Sequence, residues 1–220
     1  MLFLHDPLPV TEIRDETGPG GRFYFTPDGR FPSVTTVIGM SKDKGPLERW
    51  IKAVGEEEAA AITRQACRRG TAVHGLAEAY LKNDPDWYKG VMPGHLLTFE
   101  PMKATLDRHV GTVRAVEYPL YSKVLRSAGR TDLIAEFDGT LSIIDFKTSR
   151  GIKNEERCFG YFVQKSAYAI MLYERLGIRV DQIVTIMSVA HNDPILFVKR
   201  RADYDHHVRE IFIHNRATTD

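Results

Sequence analysis

The stretch Gly129-Arg130-Thr131-Asp132-Leu133-Ile134-Ala135-Glu136-Phe137-Asp138-Gly139-Thr140-Leu141-Ser142-Ile143-Ile144-Asp145-Phe146-Lys147-Thr148 constrains this chain more than any other. It consists of two alternating apolar runs around Asp138-Gly139, the strongest short signal for a two-residue β-hairpin turn. Such a turn sets Phe137 opposite Thr140, Glu136 opposite Leu141, Asp132 opposite Asp145 and Arg130 opposite Lys147. Side chains alternate between the faces of a strand. Arg130, Asp132, Ile134 and Glu136 therefore share a face with Leu141, Ile143, Asp145 and Lys147.

Two carboxylates directly opposite each other repel. A hard divalent cation held through oxygen relieves that repulsion, and Lys147 adds a further positive charge beside the pair. The pattern predicts a metal site suited to phosphate chemistry. It equally permits a plain strand end at Asp132 and an exposed Asp145–Lys147 pair.

The rest of the chain narrows the class. At 220 residues, with 43% hydrophobic and 27% charged residues, it has an ordinary globular composition. The net charge of +1 gives no general basic excess, so nucleic-acid contact must come from a local patch. Cys67 and Cys158 are far apart and form no Cys-x-x-Cys pair, so neither a zinc ribbon nor an iron–sulfur cluster is expected. No run is long enough to cross a membrane, and the start of the chain resembles neither a signal nor a transit peptide.

Residues 1–22 are expected to be irregular because Gly18-Pro19-Gly20-Gly21 interrupts any element. A small hairpin is expected around Pro27-Asp28-Gly29, and residues 32–38 suit either a strand or a short helix. Helices are expected over 46–54, from Glu56 to Arg69 with a stop or kink at Gly70, and from a cap at Thr71 to about Leu81. A loop over 82–97 and a helix over 99–110 follow. Val113 to Tyr121 reads as a strand, Asn154 to Gly177 brackets a helix, residues 183–189 and 195–198 read as strands, and 202–216 suits a terminal helix. Strands joined by a crossover helix make an α/β fold with a mixed sheet. The expected division is an N-terminal segment and helical addition over 1–97, packed on a core over 98–220.

These residues resemble the PD-(D/E)XK nuclease superfamily, most closely its RecB-type exonuclease branch, which includes mitochondrial genome maintenance exonucleases and phage nucleases. Gly129-Arg130-Thr131-Asp132 and Asp145-Phe146-Lys147 match its G-x-x-D and D-x-K. Arg69-Gly70-Thr71-Ala72-Val73-His74 resembles its upstream helical histidine, and Gln164-Lys165-Ser166-Ala167-Tyr168 its Q-x-x-x-Y. Pro32-Ser33-Val34-Thr35-Thr36-Val37 resembles its entry segment. Thr131 stands where the superfamily's name has proline, and the cysteines of its iron–sulfur relatives are absent.

The resemblance implies a restriction-endonuclease-like αβββαβ core with a helical N-terminal addition. It implies Mg²⁺ or Mn²⁺ held by His74, Asp132, Asp145 and the main-chain carbonyl of Phe146, with Glu117 a further candidate. Lys147 would orient water or stabilise phosphate charge, and Gln164 and Tyr168 would hold the site or the substrate. Arg64, Arg68, Arg69, Arg126 and Arg130 are candidates for phosphate contact. The expected activity is a DNA exonuclease acting on single strands or ends, in the cytoplasm of a bacterium or a phage-infected cell. A helicase, recombinase or single-strand-binding protein is a conceivable partner. The rivals are a branch- or flap-specific endonuclease and a non-catalytic DNA-binding module.

Overall fold

The computed structural model describes residues 2–10, 12–190 and 192–213. At its centre, β4 (Val110–Ser122), β5 (Ser127–Phe137), β6 (Thr140–Ser149), β7 (Gln182–Val189) and β8 (Ile195–Arg200) form one sheet in that order. Every neighbouring pair is antiparallel except β6 and β7, which run parallel across the helix α5 (Glu155–Leu176). The helix α4 (Pro93–His109) leads into β4, so the expected αβββαβ order is present and β8 extends it at one edge.

Each face of the sheet is covered. On one face, Phe162, Val163, Ala167 and Met171 of α5 pack on Ile134, Ile143, Ile183 and Met187. On the other, Leu133, Ile144, Phe146, Val184 and Ile186 meet α4 and α3 (Glu56–Leu81) through Phe99, Met102, Val73, Leu76 and Ala77. The alternation along β5 and β6 thus divides between two apolar layers. This is why the hairpin reads as nearly continuous hydrophobic sequence at Leu133-Ile134-Ala135 and Ile143-Ile144.

Local chemistry explains most element ends. Asn154 caps α5 by accepting from the Arg157 N–H, and Gly177 ends it in the left-handed conformation at φ 68°. Ser33 caps α1 (Val34–Met40), its hydroxyl accepting from the Thr36 N–H, and this settles residues 34–40 as helix. The helix α2 (Gly45–Val54) has Pro46 in its first turn.

Four expectations are corrected. The Gly18–Gly21 run does not leave residues 1–22 irregular: it turns β1 (Arg14–Gly18) into β2 (Gly21–Thr26), and β3 (Gly29–Pro32) completes a small antiparallel sheet. The exposed, charged β1 has no alternation to read, and its pairing comes from β2. Gly70 does not interrupt the helix: α3 continues through it, and Thr71 caps nothing. An interior glycine costs only about 1 kcal/mol, and Val73, Leu76, Ala77, Tyr80 and Leu81, buried beyond it, outweigh that. Residues 93–97, expected as loop, begin α4 at Pro93. The terminal helix expected over 202–216 is a 3-10 turn, Arg201–Tyr204, followed by α6 (Asp205–Phe212); residues 214–216 lie outside the described residues.

Candidate metal and phosphate site

The turn at Asp138-Gly139, with φ 51° and 75°, sets the expected register: Phe137 pairs with Thr140 and Glu136 with Leu141, and so on to Leu133 with Ile144. There the ladder stops. The expected pairings of Asp132 with Asp145 and Arg130 with Lys147 are not formed, because the Asp132 carboxylate occupies the gap. Its Oδ2 accepts the Phe146 N–H at 2.7 Å, satisfying a backbone donor that the ladder has left unpaired. A side chain thus wedges the two strands apart where the charged residues begin.

A third strand contributes to the same place. Pairs Val116–Leu133 and Tyr118–Thr131 flank Glu117 and set it level with Asp132 across β4 and β5. Glu117 has φ 51°, a left-handed backbone at a non-glycine residue, which costs on the order of 1–3 kcal/mol and is found mostly at functional sites. From the other side α3 brings His74, whose Nδ1 lies 3.5 Å from Asp132 Oδ2. Ligand atoms of His74, Glu117 and Asp132 lie within 4.8 Å of one another. Asp145, 2% exposed, sits on the adjoining strand in ionic contact with the Lys147 ammonium. That contact lacks hydrogen-bond geometry, so Asp145 Oδ2 is buried without a hydrogen bond.

The electrostatics follow from burial and like charge. Glu117 is pushed up to about 7 by burial, then by the negative charges of Asp132 and Glu78. Burial also opposes charge on Asp132, but the hydrogen bond and charge of His74, the charge of Lys147 and the Phe146 N–H outweigh it, and its carboxyl lies below the usual range. Burial likewise opposes charge on His74 and Lys147. Asp132 raises the imidazole above its ordinary value, and Asp145 with Asp132 does the same for the ammonium. Lys147 therefore holds its protons at neutral pH and acts as a donor.

These groups line a cleft of about 250 Å³. On its α5 wall, Gln164 Nε2 donates to Tyr168 Oη at 3.5 Å. Burial drives the Tyr168 hydroxyl upward, so it stays protonated. A Cβ on Gly129 would lie 2.6 Å from that hydroxyl, so only glycine lets the tyrosine reach β5. The small sheet supplies Arg22 and Tyr24, and the α1 entry supplies Ser33 and Thr35.

The expected residues separate into two groups. His74, Glu117, Asp132, Asp145, Lys147, Gln164, Tyr168 and Arg130 line the cleft, and Arg130 also donates to the Glu117 carbonyl at 3.1 Å. Phe146 lies beneath them, its ring packed in the α3–α4 layer. Arg64 and Arg68 are exposed on α3, Arg69 is half-buried there, and Arg126 is exposed at the β4–β5 turn; none of these four lines the cleft.

Sequence reasoning missed Arg22 and Tyr24, which share a face by their spacing of two on β2. It also passed over Lys165. That side chain is fully buried, donating to Thr185 Oγ1 at 2.6 Å and the Tyr161 carbonyl at 2.7 Å, and burial pushes its ammonium down to about 7. Its signal was a lysine set within the apolar stripe of α5.

The donor set suits a hard divalent cation: clustered carboxylates with one imidazole, and like charges that need neutralising.

No protein-family model matches the chain, and neither does any curated protein. Among solved structures, it is similar to a "putative exonuclease" from Eubacterium rectale, at 11% identity and TM-score 0.45, covering 67% of this chain. This chain spans 65% of that structure's length. It is also similar to the protein SSO0001, at 12% identity and TM-score 0.35, covering 65% of this chain and 73% of the other. No helix among the described residues is long and apolar enough to cross a membrane.

Proposed function

We propose that this protein is a Mg²⁺- or Mn²⁺-dependent deoxyribonuclease of the PD-(D/E)XK type, acting as an exonuclease on single strands or strand ends. One observation carries the reading. Three adjacent strands present Glu117, Asp132 and Asp145 at the point where the β5–β6 ladder opens, with His74 above and Lys147 beside them. A protein that only binds nucleic acid gains nothing from acids facing a phosphate.

His74, Asp132 and Asp145 would hold the ion, with Glu117 completing the set and the Phe146 carbonyl as a further ligand. When bound, the ion polarises the scissile phosphate and lowers the pKa of an attacking water. The chain's own groups position and neutralise. Lys147 donates to a non-bridging phosphate oxygen and stabilises the charge that grows there as the water oxygen bonds to phosphorus, losing a proton to solvent, and the bond to the sugar oxygen breaks, that oxygen taking a proton from solvent. Tyr168 and Gln164 offer neutral donors from the opposite wall, and Arg130 fixes the Glu117 backbone at its strained conformation.

The test is cleavage of end-labelled linear and closed circular single-stranded DNA with Mg²⁺, Mn²⁺ or EDTA, and Lys147→Ala as control. Degradation of the linear form alone, abolished by EDTA and in the variant, is the expected result. Cutting of circles moves the assignment to an endonuclease. Tight binding without cleavage of any substrate overturns the catalytic reading.

A further inference from the structure

Beside the cleft, two guanidinium groups meet without an acid. Arg69 lies on α3, one turn after Gln65, and Gln65 Oε1 accepts a hydrogen bond from Arg150 Nη2 at the end of β6. The two arginines thus share one helix face. The helix α3 runs close to the end of β6 at Gly70, where a Cβ would make an ordinary contact at 3.9 Å with Thr148 Oγ1. Among the described residues neither guanidinium has a carboxylate partner, and Arg69 Nε is buried with no hydrogen bond. Buried arginine donors are normally paired. Here burial and the neighbouring Arg150 both act against the Arg69 charge. Two neighbouring like-charged forks, one of them with a buried donor that has no partner, form an incomplete anion site.

We propose that Arg69 and Arg150 clamp one phosphate group of the nucleic-acid strand, distinct from the phosphate being cut. The clamp rests on the nuclease reading for whose phosphate it holds. Guanidinium forks suit a tetrahedral oxyanion, and two can share it bidentately. Its place sets which phosphate. Arg69 precedes His74 by five residues on α3, about 7.5 Å along the helix axis. Arg150 follows Lys147 by three, about 10 Å along the strand. The clamp therefore lies outside the cleft lining on its α3 side, within reach of a neighbouring phosphate of the same strand. It holds either the next internal diester or the phosphate of a strand end.

The experiment uses the full chain in EDTA, so that nothing is cut. Fluorescence anisotropy measures binding of a short labelled single-stranded oligodeoxythymidylate carrying a 5′-phosphate, a 3′-phosphate or neither, across a salt series. The variants are Arg69→Gln, Arg150→Gln and the double. Arg179→Gln is the control, since Arg179 lies near the start of β7, at the other end of the sheet, paired with Asp181. Each single variant is expected to weaken binding about 3- to 10-fold and to lower the slope of log K against log salt by about 0.7. The double variant should lose less than the product of the two, because both groups hold one phosphate. A preference for a phosphorylated end that disappears in the variants assigns the clamp to a terminus; equal losses on all three strands assign it to an internal diester.

Affinity and slope in both variants matching Arg179→Gln overturn the clamp, as does a wild-type chain that binds none of the strands. Failure of the clamp is separable from failure of the nuclease reading through Asp145→Asn with Mg²⁺. Cleavage that needs Asp145 while Arg69→Gln and Arg150→Gln bind normally leaves the nuclease and removes the clamp. Arginine-dependent binding with no cleavage does the reverse.

Discussion

The two halves of the β5–β6 hairpin are built from the same alternating pattern and do different things. Near the turn, from Phe137–Thr140 to Leu133–Ile144, every residue pairs in register and the side chains enter two apolar layers. Beyond Leu133 the ladder ends, Asp132 replaces a main-chain acceptor for the Phe146 N–H, and Glu117, Asp145 and Lys147 crowd the opening. The closed half packs into the core, and none of its residues lines the cleft. The open half gives up backbone pairing and accepts strain and like-charge repulsion, to set carboxylates level across three strands. Substitutions in the two halves should therefore fail in different assays.

The largest effect belongs to the open half. Asp145→Asn keeps the shape of the side chain and removes its charge. Cleavage is expected to fall by about 10²-fold or more, while circular dichroism still shows one cooperative thermal transition. Comparable activity in wild type and Asp145→Asn would remove the site from the chemistry altogether.

Glu117 sharpens the contrast through pH. Its carboxyl is raised to about 7, above its unfolded value. Between the unfolded value and about 7 the folded state holds the proton that the unfolded state has lost, so this group's contribution to stability is present at low pH and declines as pH rises through that window. Its use as a ligand runs the other way, since only the carboxylate binds a cation. Mn²⁺ affinity by titration calorimetry is expected to rise up to about pH 7 and level off above it, while apo stability falls by on the order of 2 kcal/mol across the same window. Glu117→Gln should make both curves shallower, His74 still having to lose its proton to bind the ion, and leave the apo protein more stable than wild type at pH 8. An unchanged pH profile for metal binding in Glu117→Gln excludes this residue as a ligand.

How far the sequence carries follows the same division. The closed half was legible because Asp-Gly demands a two-residue turn and a turn sets register by counting. Asn154 and Gly177 were legible for the same kind of reason, each serving a local backbone need. Asp132, Asp145 and Lys147 were placed on the right face by alternation alone, but not the loss of pairing around them, because nothing in a period-two pattern says when a side chain will displace a main-chain bond. Glu117 could not be set level with Asp132. The Lys123-Val124-Leu125-Arg126 connection has no turn residue to count from, and β4 has register shifts between Val110 and Ala115. Arg22 and Tyr24 reach the cleft from a separate sheet whose first strand has no hydrophobic pattern. Lys165 stands within the apolar stripe of α5, but that it is buried charged rests on Thr185, a partner from the strand β7 that the local pattern does not show, and on a carbonyl of its own helix.

A smaller effect comes from Gly129, at the open end of β5. Ala at this position places a methyl 2.6 Å from Tyr168 Oη and 2.7 Å from its ring, and such overpacking costs about 1–3 kcal/mol. Gly129→Ala should lower the urea midpoint and reduce cleavage together, because the displaced tyrosine belongs to the cleft wall. Loss of stability with full activity would mean that Tyr168 packs there without touching substrate.

The smallest effect tests the closed half by itself. Gly139 sits at φ 75° with open space where a Cβ would go, so Gly139→Ala meets no clash and only the left-handed backbone resists it. The cost is about 1 kcal/mol. Asp138, also left-handed, is held by the His109 carbonyl, which accepts its N–H at 2.9 Å, and by His109 Nδ1 at 2.8 Å from its carboxylate, so the turn should keep its type and its register. Urea denaturation should show that small loss, with cleavage unaltered, because the five pairs between the turn and Asp132 absorb the change before it reaches the opening. A Gly139→Ala variant that lost activity as steeply as stability would show the two halves to be mechanically one, with the opening set by the turn rather than by the Asp132 wedge.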